Sequence, residues 1–88
     1  LADAPPRESL ENAVAADPTD LRARHLLGVR MLMDGDEAAG LEQFLEMLRR
    51  DRAYGDQLAK RSLIDAFRVL DDEELVSATR RRMASVLF

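Results

Sequence analysis

Helix-ending signals cut this chain into five short stretches, and each stretch carries apolar residues at helical spacing. Asp17-Pro18 closes the first, because the residue before a proline avoids the α region. Asp34-Gly35 closes the second, glycine supplying the left-handed residue on which many helices end. Gly55-Asp56 breaks and restarts the chain after the third. Asp71, Asp72, Glu73 and Glu74 then crowd four acids into a helix start, where the dipole favours negative charge. Within these limits the apolar sets are Leu10, Ala13 and Val14; Ala23, Leu27 and Met31 with Leu26, Val29 and Met33 beside them; and Leu41, Phe44, Leu45 and Leu48. Ala59, Leu63, Ala66, Phe67 and Leu70 follow, then Leu75, Val76, Thr79, Met83, Val86 and Leu87. Steps of three and four place each set on one face of a helix. Pro5 and Pro6 suit a first helical turn. Thr19 is the expected cap of the second helix and Asp36 of the third. Five helices joined by short connections pack as antiparallel neighbours, so the fold class is all-α.

Composition agrees and narrows the function. Leu, Ala, Arg, Glu and Met are good helix formers, and they dominate a chain with only 5% aromatic residues. At 88 residues there is material for one domain. The absence of cysteine removes disulfides and thiolate metal sites. A net charge of −4 argues against nucleic acid, which calls for a basic face. No apolar run approaches the ~20 residues that span a bilayer, so no membrane association is expected. With no signal peptide in view the expected location is cytoplasmic.

Catalytic chemistry finds no foothold. His25 is the single histidine; it has no second His or Cys with which to hold zinc, and no motif sets a nucleophile beside it. Asp71 and Asp72 are adjacent, and adjacent helical residues point about 100° apart, so they make no acid–base dyad. Met31, Met47 and Met83 fall at core positions, while Met33 is left open as a surface methionine. The expectation is therefore a non-enzyme with no catalytic residues, cofactor or metal.

A repeat lies beneath the helical pattern. The stretch Asp17 to Asp51 resembles a tetratricopeptide repeat, a helix–turn–helix unit with a period of about 34 residues. Leu27-Gly28 matches the family's Leu-Gly pair, with Met31 where an aromatic is preferred. Gly35-Asp36 forms the turn, Gly40 is the small residue where the two helices cross, and Phe44 and Met47 fill the second helix. Each interior glycine costs about 1 kcal/mol against alanine, which points to close packing at Gly28 and Gly40. Arg24 replaces the motif's tryptophan, and Arg52 stands where a closing proline is expected. The resemblance implies a short right-handed solenoid of helical hairpins over residues 1–88. In it, 6–17 is the second helix of a truncated repeat, 19–51 a complete repeat and 56–88 a degenerate terminal pair. Since the chain begins at Leu1, it is expected to be a fragment of a longer protein.

The run LENAVAADPTDLRARHLLGVRMLMDGDEAAGLEQFLEMLRRD, with a last helix ending RRRMASVLF, resembles the C-terminal region of bacterial thioredoxin–TPR proteins, the chaperedoxin (YbbN/CnoX) family. This likeness implies a thioredoxin-like co-chaperone. Its protein partners would be unfolded client polypeptide or chaperonin. A generic scaffold or homo-oligomerisation module, including a homodimer, is the alternative, and an enzyme is a distant third.

Two binding regions follow as expectations. The repeat architecture implies a concave groove carrying Arg22, His25, Val29, Leu32, Arg61, Asp65 and Arg68, whose arginines would pair with carboxylates. The clamp that repeat adaptors use for a C-terminal carboxylate is not reproduced, because Val29 and Asp65 occupy its Asn sites. Arg80, Arg81 and Arg82 fan over some 200° of the last helix, so at least one must flank the buried stripe. Val86, Leu87 and Phe88 make a poor polar end for a solenoid, so Arg82, Val86, Leu87 and Phe88 are expected to dock a partner.

Overall fold

The computed structural model describes residues 5–87, which form α1 (Arg7–Ala16), α2 (Leu21–Met33), α3 (Glu37–Arg50), α4 (Tyr54–Val69) and α5 (Glu73–Leu87). The connections are three or four residues long. The chain is all-helical over these residues, a TPR-like array; the breaks at Asp17-Pro18 and Asp34-Gly35 fall as expected, whereas the third comes at residues 51–53 and leaves Gly55-Asp56 inside α4. Phe88 lies outside the described residues.

Local chemistry sets each helix end. Gly35 has φ 84°; its N–H donates to Leu32 O (3.1 Å), and the N–H of Asp36 donates to Met31 O (2.8 Å). This pair of hydrogen bonds closes α2 on its last carbonyls. Two expected caps are corrected. Thr19 gives both its N–H and its hydroxyl to Asp17 Oδ1 (3.0 and 2.6 Å), so it is not free to cap. Asp20 caps α2 instead, accepting from the N–H of Ala23 at 3.1 Å. Asp36 does occupy the residue before α3, but its carboxylate accepts from Arg7 Nη2 (2.8 Å) and makes no cap. Arg7 also pairs with Glu11 and Asp34, clasping α1 to the α2–α3 turn. At α5 the acid cluster behaves as expected: Asp72 Oδ1 accepts from the N–H of Leu75 at 3.0 Å.

The first turn of α4 is left-handed. Gly55, Asp56 and Gln57 have φ of 60°, 58° and 61°. Glycine takes this conformation freely, whereas each residue with a side chain loses roughly 1–2 kcal/mol there. Arg61 offsets part of that cost. Its Nε donates to Asp56 O (3.0 Å) and its Nη2 to Gly55 O (2.8 Å). Right-handed α4 therefore starts only at Leu58.

Helix α3 is the hub. Its Leu41, Phe44, Leu45 and Met47 are among the largest fully buried side chains of the protein, with Leu63 of α4. It packs against α2, α4 and α5, and α1 packs on α2. The last two helices each lie chiefly on α3 rather than on one another. The main core gathers α3 with Leu21, Ala59, Leu63, Ala66, Phe67 and Val76; a second, smaller cluster joins Leu10, Leu27 and Met31 under α1. Met47 and Met31 are buried and Met83 is half-buried, as core residues.

Arg24, at the motif's tryptophan position, is 8% exposed. Its Nη1 donates to Gln43 Oε1 (3.0 Å) and its Nη2 to Pro18 O (2.9 Å), tying α2 to α3 and to the preceding loop. Its Nε has no partner. Burial pulls its pKa below the usual arginine value.

The α2–α3 crossing is the tightest contact. A Cβ on Gly40 would stand 2.8 Å from Gly28 O and 2.9 Å from Leu32 Cγ, and one on Gly28 would stand 2.7 Å from Phe44 Cε1. Gly40→Ala should therefore lose about 1–2 kcal/mol in urea unfolding followed by circular dichroism, overpacking outweighing the ~1 kcal/mol gain in helix propensity. A stabilised Gly40→Ala protein would mean that the two helices do not meet here.

Candidate protein-binding groove

Helices α2 and α4 stand apart above Phe44 of α3 and leave an open groove of about 450 Å³. One wall is His25, Val29 and Leu32; the other is Leu58, Ser62, Asp65, Ala66 and Val69. The walls follow from helix periodicity, since side chains three and four apart share a face. Val29 is 37% and Val69 74% exposed, so apolar surface in the groove meets water. Asp65 is the sole charged residue of the lining.

His25 joins the walls. Its Nε2 lies 3.1 Å from Ser62 Oγ, and its ring is tilted 34° against Phe44 with centroids 5.6 Å apart. Burial, and secondarily the positive charge of Arg61, hold its pKa below the ordinary histidine value. The imidazole is therefore neutral near pH 7, and the groove carries no positive charge from it.

Four residues of the expected groove come together here: His25, Val29, Leu32 and Asp65. Arg22, Arg61 and Arg68 are not among the residues that line it. Arg61 is turned back to the carbonyls of the left-handed turn. Arg68 Nη1 sits 3.7 Å from Asp65 Oδ1, both side chains 75% exposed, and Arg22 is exposed. On α4 the lining is Leu58, Ser62, Asp65, Ala66 and Val69, which shares Asp65 with the expected set. Leu58, Ser62, Ala66, Val69 and Phe44 were missed; the step of four from Leu58 to Ser62 and on to Ala66 was the signal.

The second expected region is built differently. Arg82 pairs with Glu42 on α3. Val86 and Leu87 are half-buried against the main core, and Arg52 reaches their carbonyls at 3.5 and 3.4 Å. Val86 and Leu87 thus divide their surface between the core and solvent, and Arg82 is exposed. Phe88 lies outside the described residues. Arg80 stacks over Phe67, its guanidinium 5.3 Å from the ring centroid, so it is the arginine that flanks the buried stripe.

Among the described residues no group of three His, Cys, Asp or Glu is placed to hold a metal ion, and no helix is long and apolar enough to cross a membrane. Charging His25 costs more in the folded groove than in the unfolded chain. Its contribution is thus intact above its unfolded pKa of about 6.5 and is lost as pH falls through that value. Between pH 7 and 5, wild type should lose stability relative to His25→Gln when the two are compared by thermal unfolding; parallel curves would place His25 in free solvent.

Comparison with known proteins gives one family. The family model described as "Tetratricopeptide repeat" matches residues 1–88. No curated protein and no solved structure matches the chain.

Proposed function

This chain belongs to the tetratricopeptide-repeat family, and we propose that it serves as the non-catalytic interaction module of a thioredoxin-like co-chaperone, holding apolar segments of client polypeptide in the α2–α4 groove. Domains of this family mediate protein–protein interaction. The observation that carries the finer reading is the chemistry of the groove. It is open, lined mainly by Val29, Leu32, Leu58, Ala66 and Val69 above Phe44, and holds one charge. Such a surface recognises apolar area and demands no particular sequence, which suits a holder of unfolded chains. The likeness of residues 10–88 to the thioredoxin–TPR chaperedoxins supports the co-chaperone role. Within that proposal, 6–17, 19–51 and 56–88 are a half repeat, a full repeat and a terminal pair. The end of α5, with Arg82, Val86, Leu87 and Phe88, is the contact for chaperonin.

Val69→Glu tests the groove without touching the core, since the residue is 74% exposed. It should weaken binding of a dye-labelled, reduced and unfolded polypeptide at least about tenfold, or ~1.4 kcal/mol, by fluorescence anisotropy at unchanged melting temperature. Equal affinity in the two proteins would remove the groove from the proposal. Purified chaperonin retained by the full chain, and lost when Val86 to Phe88 are deleted, is the matching expectation for the second contact.

A further inference from the structure

Helices α2 and α4 each rest on α3, and little joins them to one another. Among the described residues the hydrogen bond between His25 Nε2 and Ser62 Oγ, at 3.1 Å, is the one polar contact across the gap. The same imidazole lies on the floor of the groove, tilted 34° against Phe44 with the ring centroids 5.6 Å apart. Phe44 is only 1% exposed although it forms the floor of an open groove, His25 being part of what covers it. One half-buried side chain thus ties wall to wall and roofs the floor. Helix α2 is fixed by its tight crossing with α3 at Gly28 and Gly40, so the freedom to move lies with the His25 ring and with α4.

The surroundings of the ring decide how it answers a proton. On α4 the charged groups are Arg61 and Asp65, and the Asp65 carboxylate has Arg68 3.7 Å away. On α2, Arg22 lies one turn before His25 and is exposed. Helix α3 meets the ring with the uncharged Phe44, while α1 packs instead over Leu27 and Met31. Burial first, and the positive charge of Arg61 second, disfavour the imidazolium in this place. A group that is harder to protonate in one position than in another is driven to the other by the proton. For His25 the other position is water.

We propose that His25 is a pH-sensitive latch on the groove. Neutral, it lies on Phe44 and holds α2 to α4 through Ser62; protonated, it lifts into solvent, frees the walls and uncovers Phe44. The latch is closed above about pH 6.5, the ordinary histidine value, and opens as the pH falls below it. It governs the shape of the groove whatever the groove holds. That it regulates the capture of client polypeptide rests on the binding role proposed above.

His25 is the single histidine of the chain, so its ring protons can be followed by NMR in the unaltered 88-residue protein. Near neutral pH, nuclear Overhauser cross-peaks should join the His25 ring to Phe44 and Ser62. From about pH 7.5 to about pH 5 they should vanish as the ring titrates, and the methyl signals of Val29, Leu58 and Val69 should shift with the same midpoint. In His25→Gln, whose amide takes up no proton, those methyls should stay in place over the same range. Ser62→Ala should weaken the His25–Phe44 cross-peaks already at neutral pH. Cross-peaks that persist through full titration of the ring, or methyls that move alike in His25→Gln, overturn the proposal. Helix content should hold steady by circular dichroism; a loss of helix in step with the cross-peaks is unfolding and equally overturns it. Adding the unfolded polypeptide separates the two readings. Binding that tightens at least about threefold toward acid in the wild type, and not in His25→Gln, supports both. A ring that lifts in a protein that binds no polypeptide at either pH removes only the client reading. A client bound equally well over a ring that never lifts removes only the latch.

Discussion

At the crossing of α2 and α3 there is no room for a side chain on either helix: the carbonyl of Gly28 lies 2.8 Å from where a methyl on Gly40 would be. That approach carries Phe44 under α2, where it meets both His25 and the space above Gly28. It also sinks α3 so deeply that Leu41, Leu45 and Met47 are almost wholly removed from water. With α3 buried on several sides, α2 and α4 become two walls that touch chiefly through what lies beneath them. The groove is the gap left between those walls. Its floor is a core residue, so the binding surface and the hydrophobic core share Phe44, and a change in core packing is felt in the groove.

Polar contacts position this frame. Arg24 takes a site that the repeat motif gives to a bulky aromatic, and it serves by volume and by two hydrogen bonds rather than by ring packing. Arg7 gathers Glu11, Asp34 and Asp36 at the opposite end of the α2–α3 pair. Arg61 stabilises a left-handed turn by bonding two of its carbonyls. Three arginines are thus engaged in holding backbone, loops and helix ends.

The five helices, most of their breaks and the core face of α3 were legible in the sequence because each rests on local signals: proline and glycine positions, and apolar steps of three and four. Gly28 and Gly40 were legible as packing residues for the same reason, being costly inside helices unless something comes close. The caps were not. Thr19 is claimed by Asp17, and Asp36 by Arg7 from 29 residues away, so which carboxylate is free depends on tertiary contact. The core face of α4 was legible from its spacing, whereas the left-handed turn at Gly55, Asp56 and Gln57 was not, since spacing alone does not announce it. The same turn engages Arg61 through its carbonyls, a contact that depends on the turn and not on helical spacing.

Methyl-labelled NMR titration with a short uncharged aliphatic peptide addresses the central claim most directly. The account predicts that the methyl signals of Val29, Leu32, Leu58 and Val69 move together with one affinity, while those of Val86 and Leu87 stay in place. Shifts confined to Val86 and Leu87, with the groove methyls unmoved, would contradict it and place the apolar binding surface at the end of α5.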